Sequence, residues 1–133
     1  MFCSKNNGFS LLEILIVIAL IAIVSAFSIP YYQQHIISAH RKAAAISLHK
    51  LAVALEQFYM ANNTYKNAKI DELKITAPKH YQIEITDASD SKFSLIARPI
   101  DSQAKNDSEC GALMLDSDGE KNITGTNLPE ECW

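Results

Sequence analysis

Glu13 is the one charge in the most apolar part of this 133-residue sequence, the stretch Phe9 to Ile29, where 17 of 21 residues are apolar. An ionised carboxylate inside a membrane helix costs about 2.5–3.5 kcal/mol even on lenient insertion scales, so it needs the interface or a partner. Glu13 either reaches water at one membrane face or pairs with a cation of another copy of the chain once the segment leaves lipid. The other side chains with chemical potential are scattered. His35 and His40 are five apart, a poorer same-face spacing than three or four, so they and His49 read as solvent-facing or packing residues rather than metal ligands. Asp116, Asp118 and Glu120 have alternating acidic spacing, but the bidentate acid that closes a calcium loop is not in register, and Asp116-Ser117-Asp118-Gly119 has the composition of a hairpin turn. No nucleophile-and-base constellation, phosphate loop or metal motif is present. The sequence therefore argues against an enzyme and calls for no cofactor and no metal.

The element that carries Glu13 is legible from composition. Between Glu13 and Pro30 the chain reads ILIVIALIAIVSAFSI, without charge, glycine or proline, so a helix satisfies every backbone group in hydrocarbon. Phe9 to Ile29 as a helix spans roughly 31 Å, about the thickness of a bilayer core. A removable secretory signal is the competitor, with Lys5 as a short positive region. Its best cleavage site, Ser25-Ala26-Phe27, is followed by more apolar residues and Pro30, which favours a retained membrane helix. Only 44 further apolar residues occupy the 104 positions that follow Ile29. With 12 basic and 15 acidic residues and a formal charge of -3, no overall polycation drives binding to nucleic acid, although a local patch remains compatible with that balance.

Pro30 removes a backbone donor inside a helical pattern and marks a kink rather than an end. Beyond it, Ile37, Ala44, Leu48, Leu51, Leu55 and Phe58 recur at helical spacing, while Arg41, Lys42, Lys50 and Glu56 fall largely off that stripe. Tyr31 to Ala61 is thus an amphipathic helix with a stop at Asn62-Asn63. Strands are expected at Tyr81–Ile85, Phe93–Ala97, Ala112–Leu115 and Lys121–Thr124, with a turn from Asp87 to Ser91. A long helix followed by strands predicts an α+β head in which an antiparallel sheet of about four strands lies across the C-terminal half of the helix.

Gly8-Phe9-Ser10-Leu11-Leu12-Glu13, followed by the apolar run and Pro30, resembles the class III signal sequence of type IV pilins and pseudopilins. The resemblance implies that a prepilin peptidase and N-methyltransferase cuts between Gly8 and Phe9 and methylates Phe9. It implies a Glu13 carboxylate that meets the N-terminal amine of a neighbouring subunit, and a bend or unwound stretch at Pro30. The expected organisation is a leader over 1–8, a membrane and filament-core helix over 9–29, its amphipathic continuation over 30–62, and a β-sheet head over 63–133. The leader departs from the usual pattern in carrying only Lys5 as a basic side chain. Implied partners are other pilin subunits, the peptidase, the inner-membrane assembly machinery and, before assembly, membrane lipid. The implied location is the bacterial inner membrane, with the N-terminus cytoplasmic, and afterwards the pilus.

Cys110-Gly111-Ala112-Leu113-Met114-Leu115, Asp118-Gly119-Glu120-Lys121 and Glu131-Cys132-Trp133 look like the C-terminal pattern of small minor pilins, a likeness that extends to the Tyr81–Arg98 strands. Loss of Cys3 with the leader would leave Cys110 and Cys132 as one pair. A disulfide there would close a loop of about 23 residues, worth roughly 3 kcal/mol in the chain-entropy model, and would place the head in an oxidising compartment. Reduced buried thiols or metal ligands are the alternative.

The main function read from this resemblance is a structural subunit, minor rather than major, of a type IV pilus. Some minor pilins of this kind are DNA receptors in competence, which makes DNA uptake an alternative. A DNA face would use Lys66, Lys69, Lys74, Lys79, Lys92 or Arg98 and avoid the tail from Asp101 to Trp133, which holds eight acids against two lysines. A solvated charged surface is the plainer reading of those cations. A type II secretion pseudopilin is the other alternative. Three short triplets beginning at Asn62, Asn106 and Asn122 match the glycosylation pattern and are left unassigned.

Overall fold

The computed structural model describes residues 8–133, so positions 1–7 of the expected leader, with Lys5 and Cys3, lie outside the described residues. Helix α1 runs from Leu11 to Asn62, and the chain divides into two compact units, Met1–His35 and Ile36–Trp133.

In the first unit the apolar side chains of α1 are exposed, as a segment that buries itself in lipid or in other helices must be. The two serines of this apolar stretch are satisfied within the helix. Ser25 Oγ donates to the Ile21 carbonyl at 2.7 Å and Ser28 Oγ to that of Val24 at 3.0 Å, which removes both hydroxyls from competition with an apolar surrounding. Pro30 lies inside α1. Having no N–H, it leaves the Ala26 carbonyl without its usual helical partner.

In the second unit α1 buries Ala44, Ala45, Leu48, Leu51 and Leu55, the expected stripe widened by Ala45, while Ile37 and Phe58 at its ends are half-buried. The helix stops where expected: Asn63 takes φ 55° and its N–H bonds the Tyr59 carbonyl at 2.7 Å. Asparagine tolerates this left-handed conformation better than other side chains. Four antiparallel strands follow in the order β1-β2-β3-β4, namely Tyr81–Ala88, Phe93–Pro99, Leu113–Asp116 and Lys121–Ile123. Tyr81, Ile83, Leu95, Ala97, Leu113 and Leu115 join the α1 leucines in one core. Each fully buried leucine contributes about 1.5–3 kcal/mol, which makes this helix-on-sheet contact the main stabilising feature of the head. The α+β architecture is as expected from the sequence.

Several boundaries differ from the sequence-based expectation. β1 continues through Asp87 and Ala88, past a register shift between Ile85 and Asp87, and the reversal is the tighter Ser89–Lys92 turn. That turn is closed by the Ser89 N–H to the Lys92 carbonyl at 2.8 Å. β3 begins at Leu113 rather than Ala112, because the Ala112 N–H bonds Thr124 Oγ1 at 2.8 Å. Three short helices escape sequence periodicity: α2, Ile70–Leu73; α3, Asp101–Asn106; and α4, Pro129–Cys132. None is long enough to show a helical repeat.

Candidate functional site

The residues that would be processed stand free of the chain's own packing. A Cβ added to Gly8 would meet nothing within 4 Å, and Phe9 is 78% exposed. Folding therefore places no demand for glycine at position 8. The Ser10 carbonyl accepts the N–H groups of Glu13 at 3.0 Å and Ile14 at 3.2 Å, which starts α1 and puts Glu13 in its first turn. There a carboxylate complements the positive end of the helix dipole. Among the described residues no cation lies within ion-pairing distance of Glu13.

At the far end of the chain Cys110 and Cys132 form a disulfide, with Cα atoms 5.7 Å apart and both residues buried. The bridge closes the segment that contains β3, β4 and α4. Trp133 extends the closure, its Nε1–H donating to the Asn122 carbonyl at 3.1 Å, with Lys121 Nζ 5.2 Å from its ring centroid. Gly125 makes a close approach that sequence reading missed: a Cβ there would collide with the Glu109 carbonyl beside Cys110.

A second unpredicted feature is a buried polar clamp. Gln103 and Asp107 are 2% and 4% exposed. Gln103 Nε2 donates to the Ile37 carbonyl at 3.1 Å and to Asp107 Oδ2 at 3.0 Å, while Asp107 Oδ2 also takes Arg41 Nε–H at 3.0 Å and the Tyr81 hydroxyl at 3.3 Å. Burial pushes the Tyr81 hydroxyl up to about 12, with the Asp107 carboxylate adding to the effect and the Gln103 hydrogen bond opposing it. Arg41, expected on the solvent side of α1, is instead drawn in and is only 15% exposed. The one local signal was a glutamine and an aspartate four apart, and nothing in it identified partners on α1.

The six candidate DNA-contacting cations do not form a single free basic surface. Lys66 pairs with Asp90 at 2.6 Å, Lys69 with Glu72 at 3.9 Å, Lys92 with Asp118 at 3.1 Å and Arg98 with Glu84 at 3.5 Å. Among the described residues Lys74, which caps α2 at φ 55°, and Lys79 are in no ion pair.

The remaining candidates are absorbed by packing and turn chemistry. His40 Nδ1 lies 3.1 Å from Gln103 Oε1 and its ring stacks on His80, His49 meets Trp133 edge to face, and His35 is exposed. Asp116 Oδ1 accepts the N–H groups of Asp118 at 3.0 Å and Glu120 at 2.9 Å, so the acidic run organises the β3–β4 turn. Of the triplet asparagines, Asn62 bonds the Phe58 carbonyl and Asn122 accepts the Ile123 N–H.

Comparison with known proteins agrees with this arrangement. Residues 30–114 match a family model described as type IV minor pilin ComP, DNA uptake sequence receptor, and residues 3–29 match the prokaryotic N-terminal methylation motif. A type IV pilin from Shewanella oneidensis is 30% identical, with 73% of this chain and 97% of that one covered and a TM-score of 0.54. The fold is also that of the non-core minor pilin PilV of Neisseria meningitidis, at 23% identity, 71% and 92% coverage and a TM-score of 0.58.

Proposed function

This chain belongs to the type IV minor pilins, and from that premise we propose that it is made as an inner-membrane prepilin, cleaved after Gly8, methylated on Phe9 and assembled through Glu13. The family and the fold are those of structural proteins. The observation that carries the processing route is the combination of Gly8, open on all sides, with an exposed Phe9 and an apolar helix that buries none of itself within its own chain. Glycine at position 8 then answers to the peptidase rather than to folding. The apolar helix moves between two apolar surroundings, lipid and a bundle of other helices, so its large hydrophobic area does not bar extraction from the membrane. Glu13, without a partner among the described residues, pairs across a subunit boundary with the amine of Phe9, and Pro30 supplies a point of bending in the assembled helix. The leader stays on the cytoplasmic side while the disulfide-closed head occupies the oxidising side.

Two substitutions separate the steps. Gly8→Ala leaves uncut precursor in the membrane; mature protein formed at the wild-type rate would overturn the cleavage reading. Glu13→Gln is processed normally but fails to enter pili, and normal incorporation would remove the registration role.

DNA binding is the second reading, supported by the description of the matched family and by Lys74 and Lys79, which stand outside the ion pairs. The mature full chain in neutral detergent binds duplex DNA with an affinity that falls steeply with salt and weakens when Lys74 and Lys79 become Gln. Salt-independent binding, or none, would refute it.

A further inference from the structure

Among the described residues Lys66 and Lys92 have the two shortest of the exposed ion pairs, and each acid is fixed by a further hydrogen bond, at the carboxylate of Asp90 and at the backbone of Asp118. Asp90 sits in the Ser89–Lys92 turn and takes Lys66 Nζ at 2.6 Å and the Thr64 hydroxyl at 3.1 Å. Asp118 takes Lys92 Nζ at 3.1 Å, and its own backbone N–H is fixed by Asp116 Oδ1. The pairs are solvent-accessible, with side-chain exposures of 54% and 72% for Lys66 and Asp90 and 67% and 63% for Lys92 and Asp118. The hydrogen bonds from Lys66 and Thr64 hold the Asp90 carboxyl below the usual range, and the bond to Asp118 raises the Lys92 ammonium.

Resting on the DNA reading above, we propose that Asp90 and Asp118 are built-in competitors of DNA phosphate for Lys66 and Lys92. A phosphate gains either lysine only by displacing a carboxylate. The exchange is feasible because exposed pairs are individually weak and because lysine, a point charge on a flexible stem, keeps its charge while it swings between partners. Each carboxylate left behind takes up a counter-cation, which cancels part of the ion release that drives protein–DNA association. The affinity of this acidic protein for DNA is thus set by the carboxylates that occupy its lysines as much as by the lysines.

The experiment uses the mature full chain in neutral detergent and a short fluorescein-labelled duplex, followed by anisotropy across a salt series. Asp90→Asn with Asp118→Asn tightens binding about tenfold at low salt, as loss of two such competing pairs allows. It also steepens the salt dependence by up to about 0.9 per released lysine. Asp87→Asn, exposed near the same turn and outside these pairs, adds the same charge per substitution without releasing a lysine, and changes affinity about twofold or less. The gain from Asp118→Asn disappears in a Lys92→Gln background. If wild type binds DNA but the paired and unpaired substitutions act alike, or the gain survives without Lys92, the competition mechanism falls while the DNA reading stands. If neither wild type nor the double variant binds, both fall.

Discussion

Replacing Asp107 by alanine removes the acceptor at the centre of the buried clamp. Its Oδ2 takes bonds from Arg41 Nε at 3.0 Å, Gln103 Nε2 at 3.0 Å and the Tyr81 hydroxyl at 3.3 Å. Gln103 keeps the Ile37 carbonyl and Tyr81 as partners, so its loss is partial. Arg41 fares worse, with only a 3.5 Å contact from Nη1 to the Glu131 carbonyl left. Breaking a buried pair by deleting one partner costs about 3–5 kcal/mol, and because Arg41 retains some contact with water the lower end, about 3 kcal/mol, applies. For a head of roughly 100 residues that lowers Tm by about 12–24 °C. Asp107→Asn, which keeps an acceptor but drops the charge, costs about 1–2 kcal/mol. Replacing the pair together, Arg41→Met with Asp107→Leu, recovers part of the loss because no uncompensated charge remains. The assay is thermal unfolding of the mature chain in detergent, followed by near-ultraviolet circular dichroism from the aromatic residues of the head. A fall in Tm below about 4 °C for Asp107→Ala would refute the clamp as a stabilising element. Strict additivity of the Arg41 and Asp107 substitutions would refute their coupling.

Three further outcomes test other parts of the head. Reducing the Cys110–Cys132 bridge, or replacing both cysteines by alanine, costs about 3 kcal/mol, read as a lower denaturant midpoint; an unchanged midpoint would show that the loop needs no closure. Leu51→Ala in the fully buried stripe costs about 2–5 kcal/mol, whereas Val53→Ala, with Val53 58% exposed, changes stability by about 0.5 kcal/mol or less; equal effects in the same denaturation assay would contradict the assigned inner face of α1. Burial raises Tyr65 to about 12, helped by its bond to Glu56, and burial raises Tyr81 likewise to about 12. The unfolded chain releases these protons near pH 10 and the folded chain near pH 12, so both groups stabilise the head fully below pH 10 and lose that contribution as pH rises from 10 to 12. Phenolate absorbance followed alongside circular dichroism checks this, and a head whose stability stays flat across the window would contradict it.

What could be read without the structure was local in origin. The apolar run and the offset of Glu13 from Gly8 are one-dimensional patterns. The stripe from Ala44 to Leu55 follows the helical repeat, and the stop at Asn62-Asn63 depends on the intrinsic tolerance of asparagine for positive φ. Strand positions came from alternation and turn composition, so their existence was legible while their ends were not: the extension of β1 depends on its pairing with β2, and the start of β3 on a bond from Ala112 to Thr124.

Pairing across space was invisible. Arg41 falls off the apolar stripe of α1, yet Asp107, 66 residues later, turns it inward. Nothing local to Lys92 identifies Asp118, 26 positions away, which the fold brings to its Nζ, and Asp90 takes Lys66 in the same way. Gly125 gave no periodic signal, because its requirement arises where the Glu109 backbone crosses it. Sequence by itself determined the long helix and the positions of the four strands, since those depend on neighbours a few residues away, but not the three short helices. The tertiary structure decided which charges are spent on one another, because Coulomb attraction and hydrogen bonding act over distances that chain separation does not encode.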